Sequence, residues 1–182
     1  MLIIEGSDCL GKSTMAKQIV KQVSNMGIPV VYSWMTRPNE DRFDFFHNFK
    51  DMMNPCAVQD RFHFGGMAYH VNKIPPMRRD IINSWVHSIG GLIVVLYAGD
   101  RKRYRKRLEN DERGNTLPID AMCKGNDWFN VWRDAAGADY TFNIIPEGYP
   151  EENVPLYVKQ DDIDMLIQDW IARRNAVGLG AI

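Results

Sequence analysis

The chain has 182 residues, the size of one domain or of one domain with a small insert, and long enough to bury a sizeable core around a single active site. Hydrophobic residues make up 45% and charged residues 25%, which excludes disordered and fibrous classes, and a formal net charge of -1 excludes general attraction to nucleic acid or to an anionic membrane. The scattered Cys9, Cys56 and Cys123 form neither a disulfide framework nor a zinc spacing, and with no signal-peptide pattern and no run near the roughly 20 apolar residues that span a bilayer, the expected compartment is the cytoplasm.

Short apolar runs alternate with longer segments of helical period, the pattern of strand-helix units around a parallel sheet, so a three-layer α/β architecture is expected. Leu2 to Glu5 reads as the first buried strand. Directly after it, Gly6-Ser7-Asp8-Cys9-Leu10-Gly11-Lys12-Ser13 satisfies G-x-x-x-x-G-K-[ST] between a strand and a helix, the context a phosphate-binding loop requires. Its glycines let backbone N–H groups turn inward around phosphates, and the dipole of the helix starting near Lys12 adds positive potential there. Gly6, Cys9, Leu10, Gly11, Lys12, Ser13 and Thr14 are therefore the expected cradle of a nucleoside triphosphate such as ATP. Lys12 neutralises β- and γ-oxygens, and Ser13 supplies a hydroxyl to Mg²⁺.

Helix is expected over Lys12 to Asn25, closed by Gly27 with Pro29 beyond, and a second strand over Val30 to Trp34. Phe43, Phe45, Phe46 and Phe49 follow as candidates for a cleft wall, with core packing the commoner role for such rings. A third strand, Cys56 to Gln59, leads into Asp60 and Arg61. At the carboxyl end of a parallel strand both project toward the ligand edge, where Asp60 can organise the magnesium shell or the acceptor and Arg61 can grip a phosphate with its fork. Phe62 and Tyr69 flank this motif as rings able to stack on an acceptor base. His63 and His70 lack a third ligand, which points to surface or substrate-facing roles before metal binding.

The fourth strand is expected over Leu92 to Tyr97. The cation-dense stretch Arg101 to Arg113 follows, with Tyr104 and Leu108 as its packing side, and reads as a lid insert at about 101–117 in a single domain spanning 1–182. Trp128, Phe129 and Trp132 read as core. A last strand, Thr141 to Ile145, precedes a surface loop from Pro146 to Gln160, a helix over Ile163 to Arg174 and a fraying tail from Ala176 to Ile182.

The opening Glu5-Gly6-Ser7-Asp8-Cys9-Leu10-Gly11-Lys12-Ser13-Thr14 resembles that of thymidylate kinases, including the acid at Asp8 that the general loop pattern does not demand. Asp60-Arg61-Phe62-His63-Phe64-Gly65-Gly66-Met67-Ala68-Tyr69-His70 is similar to the same family's D-R-Y-x-x-S-x-x-A-Y-Q, and Thr36-Arg37-Pro38 stands where the family carries R-E-P. The resemblance implies a P-loop kinase fold with a five-stranded parallel sheet, helices on both faces and a short lid. It implies a nucleoside monophosphate kinase that moves the ATP γ-phosphate to dTMP or a modified pyrimidine analogue, with Mg²⁺ held by Ser13 and Asp60. Asp8 would face the deoxyribose 3′-hydroxyl, Arg37 and Arg61 the acceptor phosphate, and Phe62, Tyr69 and His70 the rest of the acceptor. With no arginine at Cys9 or Leu10, the catalytic arginine would come from the lid, as Arg103 or Arg107. Gly65 and His70 replace the family's Ser and Gln, which departs from recognition of an unmodified thymine. The family also implies a homodimer, though no stretch of the chain identifies an interface.

Two other functions stay open at this level. One is a kinase whose acceptor is a hydroxyl, on a deoxynucleoside or on a modified base in DNA, for which the basic lid and the replaced Ser and Gln speak. The other is a slow nucleotide-dependent switch acting through a partner.

Overall fold

Runs of Leu, Ile and Val too apolar to face water on either side are the signature of strands buried by helices on both faces. The computed structural model, which describes residues 1–34, 54–69, 76–111, 117–148 and 158–179, places these runs in one parallel sheet. Its strands are β1 (Leu2–Gly6), β2 (Val31–Trp34), β3 (Ala57–Asp60), β4 (Leu92–Ala98) and β5 (Tyr140–Ile145), in the order β2-β3-β1-β4-β5. Each expected strand is present, with ends moved by a residue, but β2, expected as a buried strand, lies at the sheet edge with Val31, Tyr32 and Trp34 exposed among the described residues. The shift at β3 matters, because it makes Asp60 the last strand residue, paired in register with Ile4 of β1 and Trp34 of β2.

Alternate side chains of β1 and β4 sort into the two outer layers. Leu2, Ile4, Leu92, Val94 and Leu96 pack on the face covered by α1 (Lys12–Asn25) and α6 (Gln160–Ala176), where Met15, Ile19 and Val23 meet Ile163, Leu166, Ile167 and Trp170. Ile3, Ile93 and Val95 point the other way, onto α2 (His63–Tyr69), α3 (Pro76–Ser88) and the Phe129 end of α5 (Ile119–Trp132). The remaining helix, α4 (Arg101–Glu109), sends Tyr104 and Leu108 into the first of these cores, beside Met122 and Cys123 of α5. Among the described residues no helix is long and apolar enough to cross a membrane.

Two expectations about aromatic and histidine side chains are corrected. Phe129 is core and Trp128 packs against it, but Trp132 is 54% exposed, because the buried stripe of α5 runs through Met122, Gly125, Asn126 and Phe129 and leaves Val131 and Trp132 outside. His63 is neither on the surface nor facing a ligand. Its ring is buried, with Nε2 2.7 Å from Asn83 Oδ1 on α3, and burial lowers its pKa to about 3.

Candidate functional site

Only a backbone that can enter left-handed conformations can curl its N–H groups around a phosphate. Gly6 (φ 127) and Gly11 (φ 84) provide this at both ends of the loop. A Cβ on Gly6 would run into the Leu96 carbonyl, so this position admits no side chain. Cys9, with φ 59, adopts the same region despite its side chain, a cost accepted where a loop must fit a ligand. Of the expected cradle, Leu10 is packed in the core, which leaves only its backbone to face phosphate. Thr14 is exposed one turn into α1. Lys12 is buried rather than solvent-exposed. Nζ donates to Ser7 O at 2.5 Å, with Asp8 Oδ1 at 3.6 Å, and burial lowers its pKa.

The end of β3 meets this loop directly. Asp60 is fully buried, and its Oδ2 accepts from Ser13 Oγ at 2.5 Å and from Tyr32 Oη at 3.1 Å, while its Oδ1 has no hydrogen-bond partner among the described residues. A buried carboxylate oxygen left unpaired beside a loop hydroxyl fits the donor set of a divalent cation that also binds phosphate oxygens and water. Arg61 follows with φ 69. Its N–H donates to Ile4 O at 2.9 Å and its carbonyl accepts from Gln59 Nε2 at 2.9 Å, so the sheet edge holds the residue in this conformation. The turn aims the guanidinium back at the loop, where Nη2 donates to Asp8 Oδ1. Asp8, Lys12 and Arg61 thus form one charged cluster joining the two motifs.

Glu5 fixes the relation between loop and motif. From the end of β1 its buried carboxylate caps the start of α2, accepting from the N–H groups of Phe62 (3.0 Å), Phe64 (2.6 Å) and Gly65 (3.2 Å). These donors and Lys12 favour the carboxylate, yet burial outweighs them and raises its pKa to about 7. The cap also pulls Phe62 into the core at 3% exposure, so base stacking by this ring, expected from its place beside the motif, is not available in this arrangement.

A folded-state pKa above the ordinary 4.5 means that folding takes up a proton, so Glu5's contribution is full below pH 4.5 and is lost as pH rises through 7. His63 acts oppositely, since its lowered pKa gives stability above pH 6.5 that is lost toward pH 3, and the two slopes compete in the wild type. Comparison with Glu5→Gln isolates one of them. From about pH 5 to about pH 8 the wild type should lose stability relative to this variant in urea unfolding. A difference that stays constant with pH would mean that Glu5 titrates normally.

Behind the loop, α5 acts as a backstop whose buried stripe carries a polar residue, the signal by which Asn126 is readable in the sequence after the fact. Its Oδ1 accepts from Ser7 Oγ (2.8 Å) and from Ala98 N (2.9 Å), and its Nδ2 donates to Ala98 O (2.8 Å). One side chain therefore ties the phosphate loop to the end of β4. Asn126→Ala should cost about 2–4 kcal/mol in chemical denaturation, because three buried polar groups lose their partner. A loss under about 1 kcal/mol would mean that water replaces the amide.

The cation-dense stretch begins as α4, capped by Asp100 Oδ1 on Arg103 N at 3.0 Å. Tyr104 Oη donates to Asp8 O at 3.0 Å and Cys9 Sγ lies 2.8 Å from Asp111 Oδ2, so both the helix and the turn after it touch the phosphate loop. Arg101 pairs with Asp127 (3.1 Å), and Arg105 with Asp120 (2.6 Å) and Glu109 (3.0 Å), leaning on α5. Arg103 and Arg107 are half-buried on either side of Tyr104 and Leu108. An open groove of about 530 Å³ lined by Asp100, Lys102, Arg103, Arg105, Lys106 and Glu109 includes no residue of the phosphate loop. Tyr32, Tyr104, Gly125 and Asn126 are site neighbours that motif reading does not single out as functional. Arg37, His70, Arg113, the phenylalanines from Phe43 to Phe49 and most of the loop from Pro146 lie outside the described residues.

No family model matches the chain, and no curated protein matches it in sequence. Among solved structures it is similar to the YorR protein of Bacillus subtilis in complex with phosphorylated GDP, at 19% identity, covering 92% of this chain and 95% of that one, with a TM-score of 0.64. It is also similar to a gluconokinase from Sinorhizobium meliloti 1021 (12% identity, 97% and 91% covered, TM-score 0.48). A deoxyadenosine kinase from M. mycoides with bound dATP is a further match (13%, 92% and 96%, TM-score 0.41). The first likeness runs nearly the whole length of both chains and establishes a shared fold, a five-stranded parallel sheet packed between helices.

Proposed function

We propose that this chain is a nucleotide kinase that transfers the γ-phosphate of ATP to a deoxynucleoside monophosphate, with dTMP or a modified pyrimidine analogue as acceptor. The observation that carries this reading is the contact between Arg61 and Asp8, which joins the strand-end motif to the phosphate loop in a single charged cluster with Lys12. A cation that grips an acceptor phosphate thereby stands beside the cation that grips the donor. Two dianionic reactants need such flanking positive charge more than they need a base, since a monophosphate with its second pKa about 6 is already largely deprotonated at neutral pH.

The roles then divide by position. Gly6, Cys9, Leu10, Gly11, Lys12, Ser13 and Thr14 hold the triphosphate, chiefly through backbone N–H groups, Lys12 and the loop hydroxyl. Ser13 and Asp60 would hold Mg²⁺, which supplies charge neutralisation between the β- and γ-phosphates when bound. Arg61, with Arg37, grips the acceptor phosphate. Asp8 faces the sugar with Tyr69 beside it, and His70 is assigned to the rest of the acceptor. The segment from α4 onward is the lid, and Arg103 or Arg107 reaches the transferring phosphoryl. The fold shared with a protein that holds phosphorylated GDP is in keeping with a nucleotide ligand.

A panel of nucleosides, nucleoside monophosphates and oligonucleotides, each incubated with ATP and Mg²⁺ and read by phosphate transfer, tests this reading. Transfer to a monophosphate is expected. Transfer to an oligonucleotide would assign a hydroxyl of DNA as acceptor. ATP turnover that needs no added acceptor would favour a switch.

A further inference from the structure

Glycine in the middle of a helix costs about 1 kcal/mol against alanine, so one that persists there calls for a steric reason. Gly125 lies midway along α5, on its buried stripe. A Cβ built on it would stand 2.7 Å from Cζ and 2.8 Å from Cδ1 of Tyr69, and closer still to Cε1. The neighbour is therefore the ring at the end of α2, and no heavier residue fits while the ring stays in place. That ring is directed at the site. Its hydroxyl is buried without a well-formed hydrogen bond, although the Asp8 N–H approaches it, and it lies within the fields of Asp8, Arg61 and Glu5. Tyr104, which anchors the Asp8 carbonyl, is close enough to feel it as well.

We propose that Gly125 is a positioning residue for the acceptor side of the site: its missing side chain lets the Tyr69 ring stand between α5 and the phosphate loop, presenting its hydroxyl beside Asp8 and Arg61. This consequence for the acceptor rests on the kinase reading above, whereas the placement of the ring by Gly125 does not. The glycine touches neither reactant and acts only through the tyrosine. Any substituent at position 125 drives the ring out of its slot, and the effect falls on the acceptor while the ATP side, held by the loop backbone, is spared.

Two measurements on Gly125→Ala decide the matter. Tetranitromethane nitration, mapped by peptide mass, reads ring placement without any ligand, with the half-exposed Tyr32 and the buried Tyr104 as internal standards. Tyr69 should be protected in the wild type and react with the ease of Tyr32 in Gly125→Ala. Steady-state transfer to the acceptor preferred in the panel should show acceptor KM raised about tenfold, the loss of one well-placed polar contact, with ATP KM within about twofold. In a Tyr69→Ala background the same substitution should be silent, because the ring it displaces is gone.

Continued protection of Tyr69 in Gly125→Ala overturns the proposal, and so does an equal KM rise in both backgrounds, which would make the effect one of α5 itself. If Gly125→Ala does not fold, the double variant Tyr69→Ala/Gly125→Ala must, and its failure too would overturn the proposal. A wild type that phosphorylates no acceptor sinks the kinase reading alone, since the nitration map still decides whether Gly125 places Tyr69.

Discussion

Lys12→Ala folds and transfers almost no phosphate. The expectation has two halves, and burial bears on both. A buried ammonium has left its hydration shell, and its hydrogen bond to Ser7 O and its distance to Asp8 offset that loss only partly, as its lowered pKa reflects. Removing it therefore deletes a strained charge, while Asp8 keeps Arg61 as a partner. Circular dichroism and thermal unfolding should show a folded protein with a Tm close to that of the wild type. Transfer, in contrast, should suffer, because on the proposed reading Lys12 is the cation that neutralises β- and γ-oxygens. The rate should fall by at least roughly 10²–10³, the scale for losing one preorganised electrostatic contact. Weak ATP binding should accompany the fall. A folded variant with wild-type turnover would remove the phosphate loop from the mechanism altogether.

What could be read from the sequence and what could not divide along physical lines. The strands were legible because burial on both faces demands unbroken apolar runs such as Leu2-Ile3-Ile4 and Ile93-Val94-Val95, and few other structures tolerate them. The loop was legible because a phosphate cradle needs glycine where φ turns positive, as at Gly6 and Gly11. Strand-end geometry brings Asp60 to the ligand edge and the loop pattern assigns Ser13 to magnesium, but neither their direct hydrogen bond nor the tie of Asp8 to Arg61 is written in the sequence, the latter because it depends on Arg61 adopting a left-handed turn that arginine does not advertise. Asn126 and Gly125 were missed for a related reason. Their partners, Ser7, Ala98 and Tyr69, are far away in sequence, and only the helix–loop packing reveals them. Trp132 was misplaced because hydrophobicity alone does not say which side of α5 faces in.

The arginines of α4 form the most informative series. Single alanine substitutions at Arg101, Arg103, Arg105 and Arg107, with Arg113 beyond the described part of the segment, should give an uneven set of kcat values with one deep loss. The geometry narrows the candidates. Arg101 and Arg105 are committed to Asp127, Asp120 and Glu109 along the exposed side facing α5, and the loss of such solvated pairs changes little. Arg103, which pairs with Asp100 at the helix cap (3.3 Å), and Arg107 lie one turn apart and half-buried beside the buried Tyr104, whose hydroxyl reaches the carbonyl of Asp8 in the phosphate loop. On the proposed reading, Arg107, or Arg103 once released from Asp100, would reach the charge that develops between donor and acceptor. An arginine in that role is worth on the order of 10³–10⁵ in kcat in phosphoryl transfer. Because the contact is complete only in the closed transition state, the loss should fall on kcat far more than on ATP affinity. Tyr104→Phe supplies the matching control, since it removes the hydrogen bond to Asp8 O and keeps the packing of the ring. It should lower kcat by less than the critical arginine does, and in the double variant the two losses should not add, because the arginine can no longer be placed. Shallow and similar losses across the arginines, with a full additive effect of Tyr104→Phe, would instead describe a diffuse basic surface that draws in a polyanion, and the acceptor would then have to be sought among oligonucleotides.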